Sequence, residues 1–166
     1  MLDDAIGEAY DKVARVIGVS YPGGPLVDKL AHIGNDTYNL PSPLDDDSYN
    51  FSFSGIKSAV MNMVNNEHQK GNEIIKENLA CSFQNRVISV IVKKTMKALK
   101  DYNVNNLIVA GGVSANIGLR ESLILECEKN NINLTIPEIK YCTDNAAMIG
   151  AAAYPLYMKG QFVDFD

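Results

Sequence analysis

Two glycine turns, each directly before a predicted helix, are the stretches of this sequence best suited to bind a ligand. Residues 21–25 read Tyr-Pro-Gly-Gly-Pro and include Gly24, while residues 107–116 read Leu-Ile-Val-Ala-Gly-Gly-Val-Ser-Ala-Asn and end at Asn116. Glycines let a ligand lie close to the main chain. The N-terminus of the following helix favours nucleotides and other anions. An ordinary strand-to-helix connection explains a Gly-Gly pair equally well.

Acidic side chains near these turns could contact the hydroxyl groups of such a ligand. Glu8 and Lys12 stand four residues apart on the first predicted helix, which is the spacing of a surface ion pair. Asp11 is adjacent to Lys12 and does not face it, so its carboxylate remains available for an external partner. Asp28 falls in the first turn of the second predicted helix, where the helix dipole stabilises an acid.

Metal-binding spacings are absent from the sequence. His32 and His68 are isolated, and each is read as a partly exposed helix or loop residue. Cys81, Cys127 and Cys142 are odd in number and form no Cys-x-x-Cys pair. This pattern indicates free thiols in a reducing compartment rather than a disulfide framework or a zinc site.

Composition restricts the kinds of partner. The net charge of -5 gives the whole chain no attraction to a phosphate backbone, so contact with a nucleic acid requires a local basic patch or a partner's surface. Four lysines cluster on one predicted helix and read as a solvated face: Lys93, Lys94, Lys97 and Lys100. The N-terminus lacks the features of a signal peptide, and no apolar run reaches the ~18 residues of a membrane span. A cytosolic protein with no membrane association is expected.

The first half of the chain is predicted to be mainly helical. Apolar spacing and the helix signals predict, in order, a helix over 3–17 capped by Asp3 or Asp4, a helix over 26–32 with Pro25 in its first position, a loop over 34–50, a short edge strand over 51–54, a helix over 56–64 and a long helix over 73–102 with a break or kink.

The second half is predicted to alternate strands and helices. The elements are a buried strand over 107–110, a helix capped by Ser114, a short strand over 133–137 and a helix from a cap at Thr143 or Asp144 toward Tyr157. Together these elements predict one helix-rich α/β domain with a short sheet flanked by helices.

Five ordered motifs give the chain a resemblance to a known family. They are Leu-Asp-Asp-Ala-Ile-Gly-Glu-Ala-Tyr-Asp-Lys-Val-Ala-Arg at 2–15, Tyr-Pro-Gly-Gly-Pro at 21–25, Phe-Ser-Phe-Ser-Gly-Ile-Lys at 51–57, Gly-Gly-Val-Ser-Ala-Asn at 111–116 and Cys-Thr-Asp-Asn-Ala-Ala-Met at 142–148. In type and order they resemble the TsaD family of tRNA threonylcarbamoyladenosine biosynthesis proteins, formerly labelled O-sialoglycoprotein endopeptidases. The resemblance covers nearly the whole chain.

The resemblance implies a fold and an activity. The fold would be a partial RNase-H-like lobe of the actin, heat-shock and sugar-kinase (ASKHA) superfamily, in which two lobes clamp a nucleotide. The activity would be transfer of a threonylcarbamoyl group from threonylcarbamoyl-adenylate to the N6 amine of an adenosine beside the tRNA anticodon. The implied partners are tRNA and subunits of the TsaB and TsaE type.

The resemblance also implies roles for individual residues. The motif positions that match adenylate contacts are Asp11, Gly24, Asp28 and Asn116, with Glu8, Gly111 and Gly112 as further cleft residues. Asp144 resembles the carboxylate ligand of a divalent metal, iron or zinc, whose two histidine ligands have no counterpart in this sequence. No residue here is implied as a catalytic acid or base.

Family members are about twice as long as this chain. The expected domain is therefore a single C-terminal lobe, residues 1–166, without the other lobe and without the opening strands of its own lobe. One carboxylate is too few ligands to hold a metal, so the chain alone is expected to be catalytically inactive. Sheet edges and apolar surface left uncovered are expected to promote self-association.

Two further functions remain open on the sequence. The lobe could be a docking or nucleotide-binding module for a homologous partner subunit without doing chemistry itself. The older family label suggests a metalloprotease, but the sequence has no His-Glu-x-x-His or other complete metal set.

Overall fold

The computed structural model describes residues 5–162. The helices are α1 (Ile6–Val16), α2 (Gly23–Ile33), α3 (Ser54–Gln69), α4 (Lys76–Asp101), α5 (Ile117–Lys129) and α6 (Ala146–Met158); the strands are β1 (Asn106–Ile108) and β2 (Asn133–Thr135); and short 3-10 turns span Gly112–Ala115 and Ile139–Tyr141. Among these residues no helix is long and apolar enough to cross a bilayer.

Helix α4 is the centre of the main core. Its residues Leu79, Phe83 and Val87 are fully buried against α1, α2 and α3. The ring of Phe83 meets that of Tyr10 on α1 edge to face, with centroids 5.0 Å apart. The apolar spacing that predicted a long helix is therefore the spacing that fills this core.

Gly23 allows α1 and α2 to pack closely. A Cβ atom at this position would lie 2.4 Å from the Cβ of Ala14 and 2.9 Å from the Cα of Asp11. No side chain larger than hydrogen fits there without moving one helix away from the other. The position of α2, and of everything its first turns carry, depends on this contact.

The sheet consists of β1 and β2, which run parallel with Leu107 opposite Leu134. One face of the sheet packs on α4 and α5 through Ile88 and Leu123. On the other face, Ile108 is 76% exposed. Both predicted strands are present, with shorter bounds than the sequence suggested. The expected burial of the first strand is wrong, because Asn106 and Ile108 of β1 are exposed and only Leu107 is half-buried.

Helix α6 lies outside both cores. Each of its residues from Ala146 to Met158 is exposed, although the helix is almost entirely apolar. The large apolar side chains that face solvent include Ile149, Tyr154 and Tyr157. In the described part of the chain, this helix and Ile108 on the sheet are therefore both apolar and uncovered.

Several expectations about secondary structure are wrong. Residues 51–54 form no strand: Ser54 begins α3, and the alternation arises because the rings of Phe51 and Phe53 stack on each other with centroids 6.0 Å apart. Helix α3 is longer than expected, and α4 runs unbroken for 26 residues. The loop over 34–50 is confirmed.

Helix caps also differ from the expectations. The cap of α5 is Asn116 rather than Ser114, and the cap of α6 is Asn145 rather than Thr143 or Asp144. Helix α2 begins at Gly23, before Pro25. The caps expected at Asp3 and Asp4 lie outside the described residues.

The lysine cluster is not a uniformly solvated face. The side chain of Lys94 is 2% exposed, and its Nζ atom donates to the Oδ1 atom of Asp46 and to the carbonyl of Asn50, each at 2.6 Å. Lys94 therefore anchors the loop over 34–50 to α4, because a buried ammonium group needs such partners.

Candidate functional site

The N-terminal parts of three helices converge at the two glycine turns. The backbone N–H of Gly23 donates to the Oδ1 atom of Asp11 at 2.8 Å, which joins α2 to α1. The backbone N–H of Ile117 donates to the Oδ2 atom of Asp28 at 2.8 Å, which joins α5 to α2 across 89 residues of sequence. The structure thereby brings together the predicted contacts on both turns.

Asp28 is buried in this junction and is only 6% exposed. Besides the N–H of Ile117, its carboxylate accepts from the Nε2 atom of Gln84 at 2.8 Å and from the N–H of Gly118 at 3.4 Å. It lies in the second turn of α2, so the expected first-turn placement is wrong. The helix N-terminus that it stabilises belongs to α5, whose unpaired N–H groups it satisfies.

Asn116 uses both ends of its side-chain amide within the fold. Its Oδ1 atom accepts from the N–H of Leu119 at 2.7 Å, which caps α5. Its Nδ2 atom donates to the Oε1 atom of Gln84 at 2.8 Å. The side chain is half-buried, and this cap defines where the glycine turn ends and the helix begins.

Gln84 and Tyr10 are functional candidates that the sequence alone did not reveal. Gln84 is 3% exposed, and its Oε1 atom also accepts from the hydroxyl of Tyr10 at 3.1 Å. Burial, and then the nearby charge of Asp28, raise the pKa of Tyr10 well above its ordinary value. The signal for Gln84 was its place between Ala80 and Ile88, which share its face of α4 and are buried.

The second glycine turn is fixed by hydrogen bonds to its carbonyl groups and has open space beside its glycines. Gly111 has a φ of 89°, which only glycine adopts readily, and a Cβ atom at Gly111 or Gly112 would meet no atom within 4 Å. The hydroxyl of Ser114 donates to the carbonyl of Gly111 at 2.6 Å. The Nε atom of Arg120 donates to the carbonyl of Ser114 at 2.6 Å. The turn is therefore fixed while its outer surface can receive a ligand.

The remaining predicted cleft residues lie at the rim. A Cβ atom at Gly24 would also meet no atom within 4 Å, so this glycine faces open space. Glu8 forms the expected pair with Lys12, with the Oε1 and Nζ atoms 2.6 Å apart, and its side chain is 46% exposed.

Asp144 stands apart from any set of metal ligands. It is exposed and follows Cys142, which is buried with its Sγ atom 3.2 Å from the Nη2 atom of Arg120. No group of three His, Cys, Asp or Glu side chains among residues 5–162 could hold a metal ion. The Nδ1 atom of His32 lies 2.7 Å from the carbonyl of Asp28. The described residues therefore do not fit a complete metal site.

The family profile described as "TsaD: tRNA N6-adenosine threonylcarbamoyltransferase" matches residues 1–151. The chain belongs to the TsaD family. Proteins named tRNA N6-adenosine threonylcarbamoyltransferase from Staphylococcus aureus strains Mu3 and N315 are each 60% identical to it over 163 residues. The match covers 98% of this chain and 48% of each relative, so the chain spans about half the length of these TsaD proteins.

A solved structure supports the expected fold class. Full-length HypF in its phosphate- and nucleotide-bound form superposes with a TM-score of 0.64, over 93% of this chain and 20% of HypF. Because the sequence identity is 18%, this likeness concerns the fold alone. The helix-rich α/β arrangement with a short parallel sheet is confirmed, and it is consistent with part of an ASKHA lobe.

Proposed function

We propose that residues 1–166 form a single domain, the C-terminal lobe of a two-lobed tRNA N6-adenosine threonylcarbamoyltransferase. Asp11, Gly24 and Asn116 would contribute one wall of its site for threonylcarbamoyl-adenylate. The observation that carries this proposal is the convergence of α1, α2 and α5 at the two glycine turns. It combines backbone N–H groups, a carboxylate and open glycines, which suit the phosphate, ribose and flat base of a nucleotide.

The reaction assigned to the complete enzyme is an acyl transfer. The N6 nitrogen of the adenosine forms a bond to the carbamoyl carbon and loses one proton to solvent. The bond from that carbon to the phosphate oxygen of the adenylate breaks, and AMP leaves with its electron pair. The contribution of this chain is to bind and orient the adenylate. Such positioning accelerates a reaction because it removes the entropy cost of bringing the reacting groups together.

Each wall residue has a distinct part in this proposal. Asp11 gives one carboxylate oxygen to the N–H of Gly23, and its other oxygen is assigned to a ribose hydroxyl. At Gly24 a Cβ atom would meet no atom within 4 Å, so the nucleoside can lie against the backbone there. Asp28, whose carboxylate already accepts three hydrogen bonds, acts on the adenylate by holding α5 and Asn116 in place. The rim residues Glu8, Gly111 and Gly112 border the same cleft.

Asp144 is proposed as one ligand of a divalent metal, iron or zinc. Further ligands would have to come from outside this chain, because no group of three potential ligands exists among the described residues. The chain alone is therefore proposed to be inactive.

The proposed substrate also determines partners and location. A net charge of -5 gives little attraction to tRNA, so we assign most of the tRNA contact to the other lobe of the two-lobed enzyme and to subunits of the TsaB and TsaE type. A tRNA substrate implies a cytosolic enzyme.

A second candidate function is a docking module for a homologous subunit. The observation that favours it is the exposed apolar surface of α6 together with Ile108. Large exposed apolar patches mark interaction sites. In this alternative the lobe would contribute a surface and no adenylate contact.

Calorimetric titration of AMP into the chain separates the two functions. The adenylate-wall proposal predicts measurable binding, and Asp11→Ala should weaken it about tenfold through loss of a charged hydrogen-bond acceptor. Glu67→Ala is the control, because Glu67 lies at the far end of α3 and pairs with Lys70. Absence of AMP binding by the unsubstituted chain, or equal binding by Asp11→Ala, would favour docking.

A further inference from the structure

Gln84 connects three elements that carry the proposed adenylate wall. From the middle of α4 its side chain reaches Asp28 on α2, Asn116 before α5 and Tyr10 on α1. Gly118 permits this approach, because a Cβ atom there would lie 2.7 Å from the Nε2 atom of Gln84. A buried amide that bonds three other elements controls their relative positions.

The direction of every hydrogen bond in this network is determined by its two ends. At one end a carboxylate, Asp28, can only accept, so the Nε2 atom of Gln84 must face it. The Oε1 atom of Gln84 therefore faces Tyr10 and Asn116 and requires donors from both. At the other end the N–H of Leu119 can only donate, which requires the Oδ1 atom of Asn116. Both ends demand the same orientation of the Asn116 amide.

We infer that Gln84 is a positioning residue for adenylate binding, an inference that rests on the proposed function. It orients Asn116 so that the amide oxygen of Asn116 is used by α5 and one amide N–H is used by Gln84. The side-chain amide of Asn116 also hydrogen-bonds with the hydroxyl of Tyr10. Asn116 therefore presents its amide to the proposed adenylate site in one fixed orientation.

Gln84→Met tests this role because it keeps the length of the side chain and removes both polar atoms. In the isotopically labelled chain, NMR follows the side-chain amide of Asn116 and the backbone amides of residues 111–119 while AMP is added. The substitution should displace the Asn116 side-chain resonance before any AMP is present. It should also raise the apparent Kd for AMP about tenfold, because the Asn116 amide is no longer held in place.

Ser82→Ala is the matched control. Ser82 is fully buried on the same helix and accepts from the N–H of Tyr38 at 3.0 Å, away from the glycine turns. Its loss removes a buried hydrogen bond of similar kind, so a purely structural effect would appear in both variants. The Asn116 resonance and the Kd for AMP should be unchanged in Ser82→Ala.

The outcomes distinguish this inference from the proposed function. Equal AMP binding by the unsubstituted chain and by Gln84→Met would overturn the positioning role and leave the adenylate wall intact. If the resonances of residues 111–119 in the unsubstituted chain do not respond to AMP, the adenylate wall is overturned. If the Asn116 resonance also stays in place in Gln84→Met, the positioning role is overturned as well. If Gln84→Met does not fold, Tyr10→Phe should displace the Asn116 resonance in the same direction by a smaller amount, and no displacement would contradict the inference.

Discussion

The junction of α1, α2, α4 and α5 differs from the region of β1 and α6 in how completely its groups are satisfied. At the junction, buried polar atoms of Asp28, Gln84 and Asn116 bond one another and the start of α5. At α6, large apolar side chains such as Ile149 face solvent. The first region is complete within this chain, and the second has the character of an interface.

Truncation of the core should produce the largest difference between the two regions. Phe83→Ala removes a fully buried ring and should lower the free energy of unfolding by about 3–5 kcal/mol through lost burial and a cavity. Ile149→Ala on α6 should change it by less than about 0.5 kcal/mol, as for an ordinary surface substitution. Urea denaturation of both variants measures this, and a comparable loss for Ile149→Ala would mean that α6 is packed in solution.

The two adjacent glycines of the first turn offer a sharper test at one place. Gly23→Ala puts a methyl group 2.4 Å from Ala14 and should lower the free energy of unfolding by about 1–3 kcal/mol, the usual cost of overpacking. Gly24→Ala meets open space and should leave stability within about 0.5 kcal/mol. Thermal unfolding of the pair suffices. Equal losses would contradict the close contact of α1 and α2.

The buried network should also give the chain a pH dependence at the alkaline end. Because the folded pKa of Tyr10 is raised, its contribution to stability is fully present below the unfolded pKa of about 10 and is lost as pH rises from there toward the folded pKa, at up to about 1.4 kcal/mol per pH unit. Denaturation midpoints measured from about pH 9 to about pH 11 would record this loss of stability. Tyr10→Phe should flatten the dependence, and an unchanged slope would show that the hydroxyl of Tyr10 is not buried.

The smallest effect on stability should accompany a clear effect on association. Ile149→Ser on exposed α6 should leave unfolding within about 0.5 kcal/mol and reduce the self-association that an uncovered apolar face promotes. Sedimentation at high protein concentration compares the variant with the unsubstituted chain. The control is Lys129→Ser, at an exposed position on α5. Identical association of the unsubstituted chain and both variants would count against an interface at α6.

Local spacing was sufficient to predict much of the fold. The apolar stripe of α4 and the short parallel strands could be read from residues close in sequence, and so could the two glycine turns. The false strand over 51–54 shows the limit: Phe51 and Phe53 alternate because their rings stack on one another, and the backbone turns into α3.

The parts of the site that depend on distant partners could not be predicted in this way. Asp28 caps a helix that begins 89 residues later, so its own surroundings in sequence suggested only the dipole of α2. Gln84 appeared as one polar residue in an apolar stripe until α2 and α5 were packed against it. The resemblance to the TsaD family suggested the proposed wall residues but not Gln84, whose side-chain amide connects them.

We proposed that this chain is one lobe of a threonylcarbamoyltransferase. An assay of threonylcarbamoyl transfer to the adenosine N6 of tRNA tests this proposal. Purified chain is incubated with tRNA, threonylcarbamoyl-adenylate and a divalent metal, beside a full-length Staphylococcus aureus relative under conditions in which that relative is active. We expect threonylcarbamoylated tRNA from the relative and none from the chain, although the chain should still bind AMP. Threonylcarbamoylated tRNA formed by the chain alone would contradict it.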